Sequence, residues 1–107
     1  MLNHITIMGR LTRDAELRRT GSGTAVASFT VAVDRDYAAE GQDRETDFID
    51  CVAWRGTGEF VSRYFAKGSM IVVSGRLQER RWTDKDGNKH RAAEVVADNV
   101  YFGESKS

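Results

Sequence analysis

The sequence predicts an all-β domain, a five-stranded barrel with a single helix between its third and fourth strands. Four segments alternate faces with the period of a half-buried strand, and one segment switches to helical spacing. The last two strands flank "DKDGN", an Asp-Gly turn signal that joins hairpin strands. Proline, which would interrupt a ladder, is absent from all 107 residues.

The first strand is "ITIMGRL", where Ile5, Ile7, Gly9 and Leu11 share a face and Gly9 marks a bulge or a close backbone approach. "RRTGSG" supplies turn chemistry before "TAVASFTVAVD", which alternates Ala25, Ala27, Phe29, Val31 and Val33. A polar, acidic stretch, "DYAAEGQDRETD", leads into the third strand, "FIDCVAW". In "TGEFVSRYFAKGS" the pairs Phe60 with Tyr64 and Val61 with Phe65 are four residues apart, so this segment is a helix. Thr57 is its expected N-cap and Gly68 its C′ residue. "MIVVSGRLQERRW" and "KHRAAEVVADNVYF" complete the set as a hairpin.

Three strands, a helix and two strands form the order of the OB-fold, a barrel in which the helix plugs one end. The length fits one such domain over residues 1–107. Period 2 then assigns faces. In the third strand Ile49, Cys51 and Ala53 point inward, and Phe48, Asp50, Val52 and Trp54 point outward. In the fourth, Ile71, Val73 and Leu77 point inward with Gly75 between them. Val72, Ser74, Arg76, Gln78, Arg80 and Trp82 point outward if the alternation holds past Gly75. Cys51 is thus expected to be a small buried hydrophobe without redox function.

Composition excludes several classes. The 16 basic and 16 acidic residues cancel, and 40% hydrophobic content is that of an ordinary globular chain. No apolar run approaches the roughly 20 residues that span a bilayer, and no signal-peptide pattern opens the chain, so the expected location is cytoplasmic. One cysteine and two isolated histidines provide no metal cluster, and no metal or cofactor is expected. The charges are nevertheless unevenly placed. Residues 76–91 carry Arg76, Arg80, Arg81, Lys85, Lys89 and Arg91 against three acids, whereas residues 40–47 carry four acids and one base. Arginine outnumbers lysine 12 to 4, and guanidinium groups both pair with phosphate and stack on bases.

Large aromatics on the exterior of two strands, interleaved on one of them with arginines, call for a partner. A single-stranded nucleic acid fits, because unstacked bases are flat apolar plates on a phosphate string. The bland alternative is that Phe48, Trp54 and Trp82 pack beneath loops or a subunit contact. A hydrolase would need convergent carboxylates, and Asp47 and Asp50 lack an adjacent His or Lys base, so no enzyme activity is expected. An RNA-binding or primosomal accessory module would use the same stacking physics, and a purely structural OB subunit would show no salt-sensitive oligonucleotide binding.

From "ITIMGRLTRDAELR" through "ASFTVAV", "FIDCVAW", "YFAKGS", "IVVSGRL", "RRWTDKDGNKHR" and "EVVADNVYFG", the chain resembles the DNA-binding core of bacterial single-stranded DNA-binding proteins. The resemblance implies a nucleoid-associated protein that binds and protects single-stranded DNA in replication, recombination and repair. It implies base stacking on Tyr37, Phe48, Trp54 and Trp82, and basic contacts from Lys67, Arg80 and Arg81. Arg10, Arg13 and Arg18 join these on charge grounds. Tyr37 stands where tryptophan is common in the family, and Ala15 where proline is usual. The resemblance also implies a homotetramer, a dimer of dimers in which first strands pair edge to edge, and "NHITIMG" offers a proline-free edge. The acidic loop at residues 40–47 is expected to be mobile and to swing clear of the DNA. Family members usually continue into a long tail with an acidic tip, whereas this sequence ends at "GESKS", so partners recruited through such a tail are not expected.

Overall fold

A computed structural model describes residues 1–104, so the last residues of "GESKS" lie outside the described part. The elements are β1 (Ile5–Leu11), β2 (Glu16–Arg19), β3 (Ala25–Asp34), β4 (Thr46–Trp54), α1 (Arg55–Tyr64), β5 (Met70–Thr83) and β6 (Lys89–Phe102). Five strands close into a ring in the order β1-β5-β6-β4-β3, with β1 returning to β3. The β4–β6 pairing is parallel and the others are antiparallel. This is the expected barrel with the expected helix position. β2 is an addition: it shares one edge of β3 with β1, taking residues 25–28 while β1 takes residues 31 and 32. All four β2 residues are exposed, so no apolar alternation announces it.

The alternating residues meet inside. Leu11, Phe29, Val31, Cys51, Ala53, Ile71, Val73, Val95 and Ala97 form the core, which Val61 of α1 and Phe65 just after it close at one end. Burying each of the larger side chains contributes roughly 1.5–3 kcal/mol. Phe65 stacks on Phe102 at 4.8 Å, so the helix is fastened to the end of β6. The register assigned to β4 holds. Cys51 is 3% exposed, and burial, with lesser contributions from Asp50 and Glu94, pushes its thiol up to about 12. Gly9 is a close approach and not a bulge: a Cβ there would strike the carbonyl of Ala32, where β1 crosses onto β3.

The helix ends differ from those expected. α1 starts directly after Trp54, and Thr57 lies within its first turns without capping it. Arg55 takes a left-handed φ of 57°, which turns the chain abruptly from β4 into the helix. The helix stops at Tyr64 because Phe65 returns to extended backbone as it enters the core. Gly68, with φ 86°, serves the turn leading into β5, where its N–H donates to Leu11 O.

β5 and β6 are 14 residues each and outrun the barrel. Every β5 residue from 76 to 83 is exposed, so these strands continue as a two-stranded arm. Leu77, expected to face inward, keeps the inward parity opposite Val95 but lies beyond the rim and is 46% exposed. The irregularity at Ser74/Gly75 is taken up by Asp98 of β6, so β5 keeps its alternation along the arm. Among the described residues no helix is long and apolar enough to cross a membrane.

Candidate nucleic-acid interface

Cross-strand pairing fixes which side chains share the outer face. Val26 lies opposite Trp54, Ser28 opposite Val52, Thr30 opposite Asp50 and Ala32 opposite Phe48. Arg18 of β2 lies opposite Val26, and Val52 pairs in parallel with Val96. On the arm, Arg76 is opposite Val96, Arg80 opposite Ala92 and Trp82 opposite His90. Phe48, Trp54 and Trp82 are therefore on one continuous outer surface, 68%, 45% and 41% exposed. The alternative that loops cover them would bury them, and among the described residues none does.

Beside Trp54 on this face runs a groove of about 330 Å³, with walls that include Arg13, Arg18 and Arg80. Its floor holds Val26 and Val52, which pack with Val96 into a small apolar cluster on the outside of the barrel. Val52 is thus buried although it faces outward, because its β6 partner Val96 and the diagonal Val26 of β3 pack against it. The groove is not purely basic. Glu16, Asp50 and Glu94 line it too, with Thr30 Oγ1 donating to Asp50 at 3.0 Å and Arg80 Nε 4.0 Å from Glu94. The arginines and the valine floor suit a ligand with both apolar plates and anionic linkers, and the carboxylates offset part of that attraction.

At the arm, the Arg80 guanidinium lies 4.5 Å from the Trp82 ring centroid, a cation–π arrangement. Arg81, opposite Arg91, and Lys89, opposite Thr83, have the other parity, so these three cations belong to the reverse face of the arm from Trp82. Arg81 also pairs with Glu79. Lys85 is in the tip turn. Arg76 sits 3.5 Å from Asp98 in a second open cavity of about 610 Å³ that also touches Trp54. The charge run in the sequence is therefore divided by the sheet into two faces and a tip.

The remaining residues scatter. Tyr37 is 89% exposed on the loop between β3 and β4. Arg10 is two strands from Phe48 across Ala32, but its side chain donates to Glu104 at 3.0 Å and to Gly68 O at 2.8 Å. Lys67 is in the turn after α1, where its backbone N–H donates to Asp14 Oδ1 at 2.8 Å. The base of the acidic loop carries an ion-pair cluster that charge counting along the chain does not show. Arg35 pairs with both Glu45 and Asp47, and its hydrogen bond holds the Asp47 carboxyl below the usual range. Asp50 and Glu94 are groove residues that charge clustering alone misses; the outward parity of Asp50 was the available signal. His90 was also overlooked, although counting back symmetrically from the Asp-Gly turn places it opposite Trp82.

Fold and surface together define a class: an OB barrel whose outer face joins exposed aromatics to an arginine-walled groove. The chain belongs to the single-strand binding protein family, whose model matches residues 2–103. It is 48% identical to a single-stranded DNA-binding protein of Oceanobacillus iheyensis, over 99% of this chain and 66% of that one. It is 47% identical to single-stranded DNA-binding protein 2 of Listeria monocytogenes, over 100% of this chain and 67% of the relative. A single-stranded DNA-binding protein of Enterococcus faecalis is 44% identical, with 57% of its length covered. The chain thus spans about two thirds or less of these relatives.

Proposed function

We propose that this chain binds single-stranded DNA with little regard to sequence, and so holds and protects the strand during replication, recombination and repair in the cytoplasm. The observation that carries this reading is the placement of Phe48, Trp54 and Trp82 on one outer face beside Arg18 and Arg80. Bases stack on the aromatics, and the arginines, with Arg13 and Arg76, meet phosphates. Tyr37 adds a platform from its loop, Arg10 and Lys67 flank the path, and Arg81, Lys85, Lys89 and Arg91 serve a strand that bends around the arm. The names of the relatives and of the family support the same ligand.

Titration with a thymidine oligonucleotide tests the reading. Both tryptophans lie on the outer face, so their emission is expected to fall strongly with the single strand and far less with a duplex, whose bases are already stacked. Arg80→Ala is expected to reduce the slope of log affinity against log salt by about 0.7, the value for one phosphate contact on a single strand. Binding without any salt dependence, or no binding, overturns the proposal; equal affinity for an RNA strand of the same length removes the restriction to DNA.

The unit of function proposed is a homotetramer, a dimer of dimers. Among the described residues β1 pairs with β3 only through Arg10 and Leu11, and the same edge from Ile5 to Gly9 makes no ladder. An unpaired edge of this kind is a template for a second copy. Next to it, Met8, Val72 and Tyr101 form a row across three strands, with Met8 56% and Tyr101 54% exposed. Light scattering is expected to give about four times the 12.0 kDa chain mass, and a mass near 12.0 kDa at micromolar concentration would refute the assembly.

A further inference from the structure

The arm has no core beneath it, so Trp82 cannot be held by burial. Its position is held by a chain of contacts from the turn. Asp84 Oδ1 accepts the backbone N–H groups of Asp86 at 3.0 Å and Asn88 at 2.9 Å, which fixes the carboxylate in the turn. Its second oxygen, Oδ2, accepts from His90 Nε2 at 2.7 Å. The His90 ring in turn stacks on Trp82, with centroids 5.3 Å apart and planes 20° from parallel. The Arg80 guanidinium is the other neighbour of the indole.

We propose that Asp84 and His90 are positioning residues that set the Trp82 indole for a base, and that the charge on His90 adjusts how tightly a single strand is held at the arm. The proposal rests on the single-stranded DNA reading above. An indole that is already oriented loses less freedom when a base stacks on it, and that preorganisation favours binding. Histidine is the side chain that changes charge near neutral pH. Asp84 is ionised in that range, because the hydrogen bond from His90, followed by the Asn88 N–H, holds its carboxyl below the usual values.

A protonated His90 would form an ion pair with Asp84, a cation–π contact with Trp82 and a positive charge at the arm's tip. The charged groups around it are Arg80 and, on the reverse face, Arg81 from β5; Asp84, Lys85 and Asp86 from the turn; and Lys89 and Arg91, its neighbours on β6. An incoming phosphate favours the charged imidazole. Binding therefore takes up a proton, and by linkage affinity rises as the pH falls.

The test compares the unaltered protein with His90→Gln and Asp84→Asn, each checked for native circular dichroism. Anisotropy of a labelled thymidine oligonucleotide is read at about pH 8 and about pH 5.5, spanning the imidazole range. Tryptophan emission of the free protein is titrated over the same range in a Trp54→Phe background, so that Trp82 alone reports. Emission is expected to fall on acidification, because an imidazolium in contact quenches indole. Affinity is expected to rise by about 3- to 10-fold beyond the change seen in His90→Gln, a factor typical of one cation–π contact or one added phosphate pairing. The emission change should vanish in His90→Gln, and both the emission change and the excess rise in affinity should shrink in Asp84→Asn. If His90→Gln keeps the pH dependence of the unaltered protein, or if emission does not respond, the proposal is overturned while the binding reading stands. If no version binds the oligonucleotide, the binding reading falls, and the emission titration still tells whether the His90–Trp82 contact exists.

Discussion

Trp82→Ala is expected to weaken single-stranded DNA binding by about 1–3 kcal/mol, the range for one base–aromatic stack. This corresponds to roughly 5- to 150-fold in the dissociation constant. The loss should appear with little change in salt slope, because stacking releases no counterions. That separates it from loss of Arg80, which acts through charge. Removing the indole also removes the ring that Arg80 and His90 both contact, so Trp82→Phe, which retains a smaller plate, should recover part of the affinity. The side chain is on an exposed arm with no core contact, so the melting temperature should move little. Fluorescence anisotropy at two salt concentrations, together with a thermal melt, reads all three quantities. Unchanged affinity with an intact fold would remove Trp82 from the interface and with it the main support for the outer face as the binding surface.

The largest effect on stability is expected from Gly75→Ala. Gly75 is buried where β5 and β6 shift register, and a Cβ there would run into the carbonyl of Val96, with Ala97 Cα only 3.1 Å away. These are backbone atoms of the paired strand and cannot rotate aside, so the two strands must separate locally. Overpacking of this kind costs about 1–3 kcal/mol, and more where backbone is the obstacle. For a domain of this size each kcal/mol corresponds to roughly 4–8 °C in melting temperature. Gly56→Ala is the matching control. Gly56 lies in α1 with open space around its Cα, and alanine there should stabilise the helix by up to about 1 kcal/mol. Melts by circular dichroism at one fixed protein concentration compare the two. A Gly75→Ala variant as stable as the parent would mean that the β5–β6 irregularity has room for a Cβ.

Both predictions depend on parity, and parity was legible in the sequence. Alternation in "FIDCVAW" and "MIVVSGRLQERRW" was enough to put Cys51 inside and Phe48, Trp54, Arg80 and Trp82 outside, because a strand has only two faces. The helical switch at Phe60, Val61, Tyr64 and Phe65 and the Asp-Gly turn were equally local signals, and they fixed the order of the barrel elements. What sequence could not supply was everything set by a partner strand. β2 has no apolar residues buried to mark it and exists because β3 has an edge left over by β1. Thr57 looked like a cap, but a left-handed Arg55 brings the chain into the helix earlier. The run of bases at residues 76–91 reads as one patch along the chain, whereas the pleat sends Arg80 to one face of the arm and Arg81 to the other. Leu77 has the inward parity, yet the barrel has ended where it stands. The sequence by itself determined the fold class, the faces and which aromatics lie outside, since these follow from side-chain period. Only the tertiary structure decided which charges share a surface, that Arg35 holds Glu45 and Asp47, and that Asp84 and His90 meet Trp82, since these depend on which strands pair and in what register.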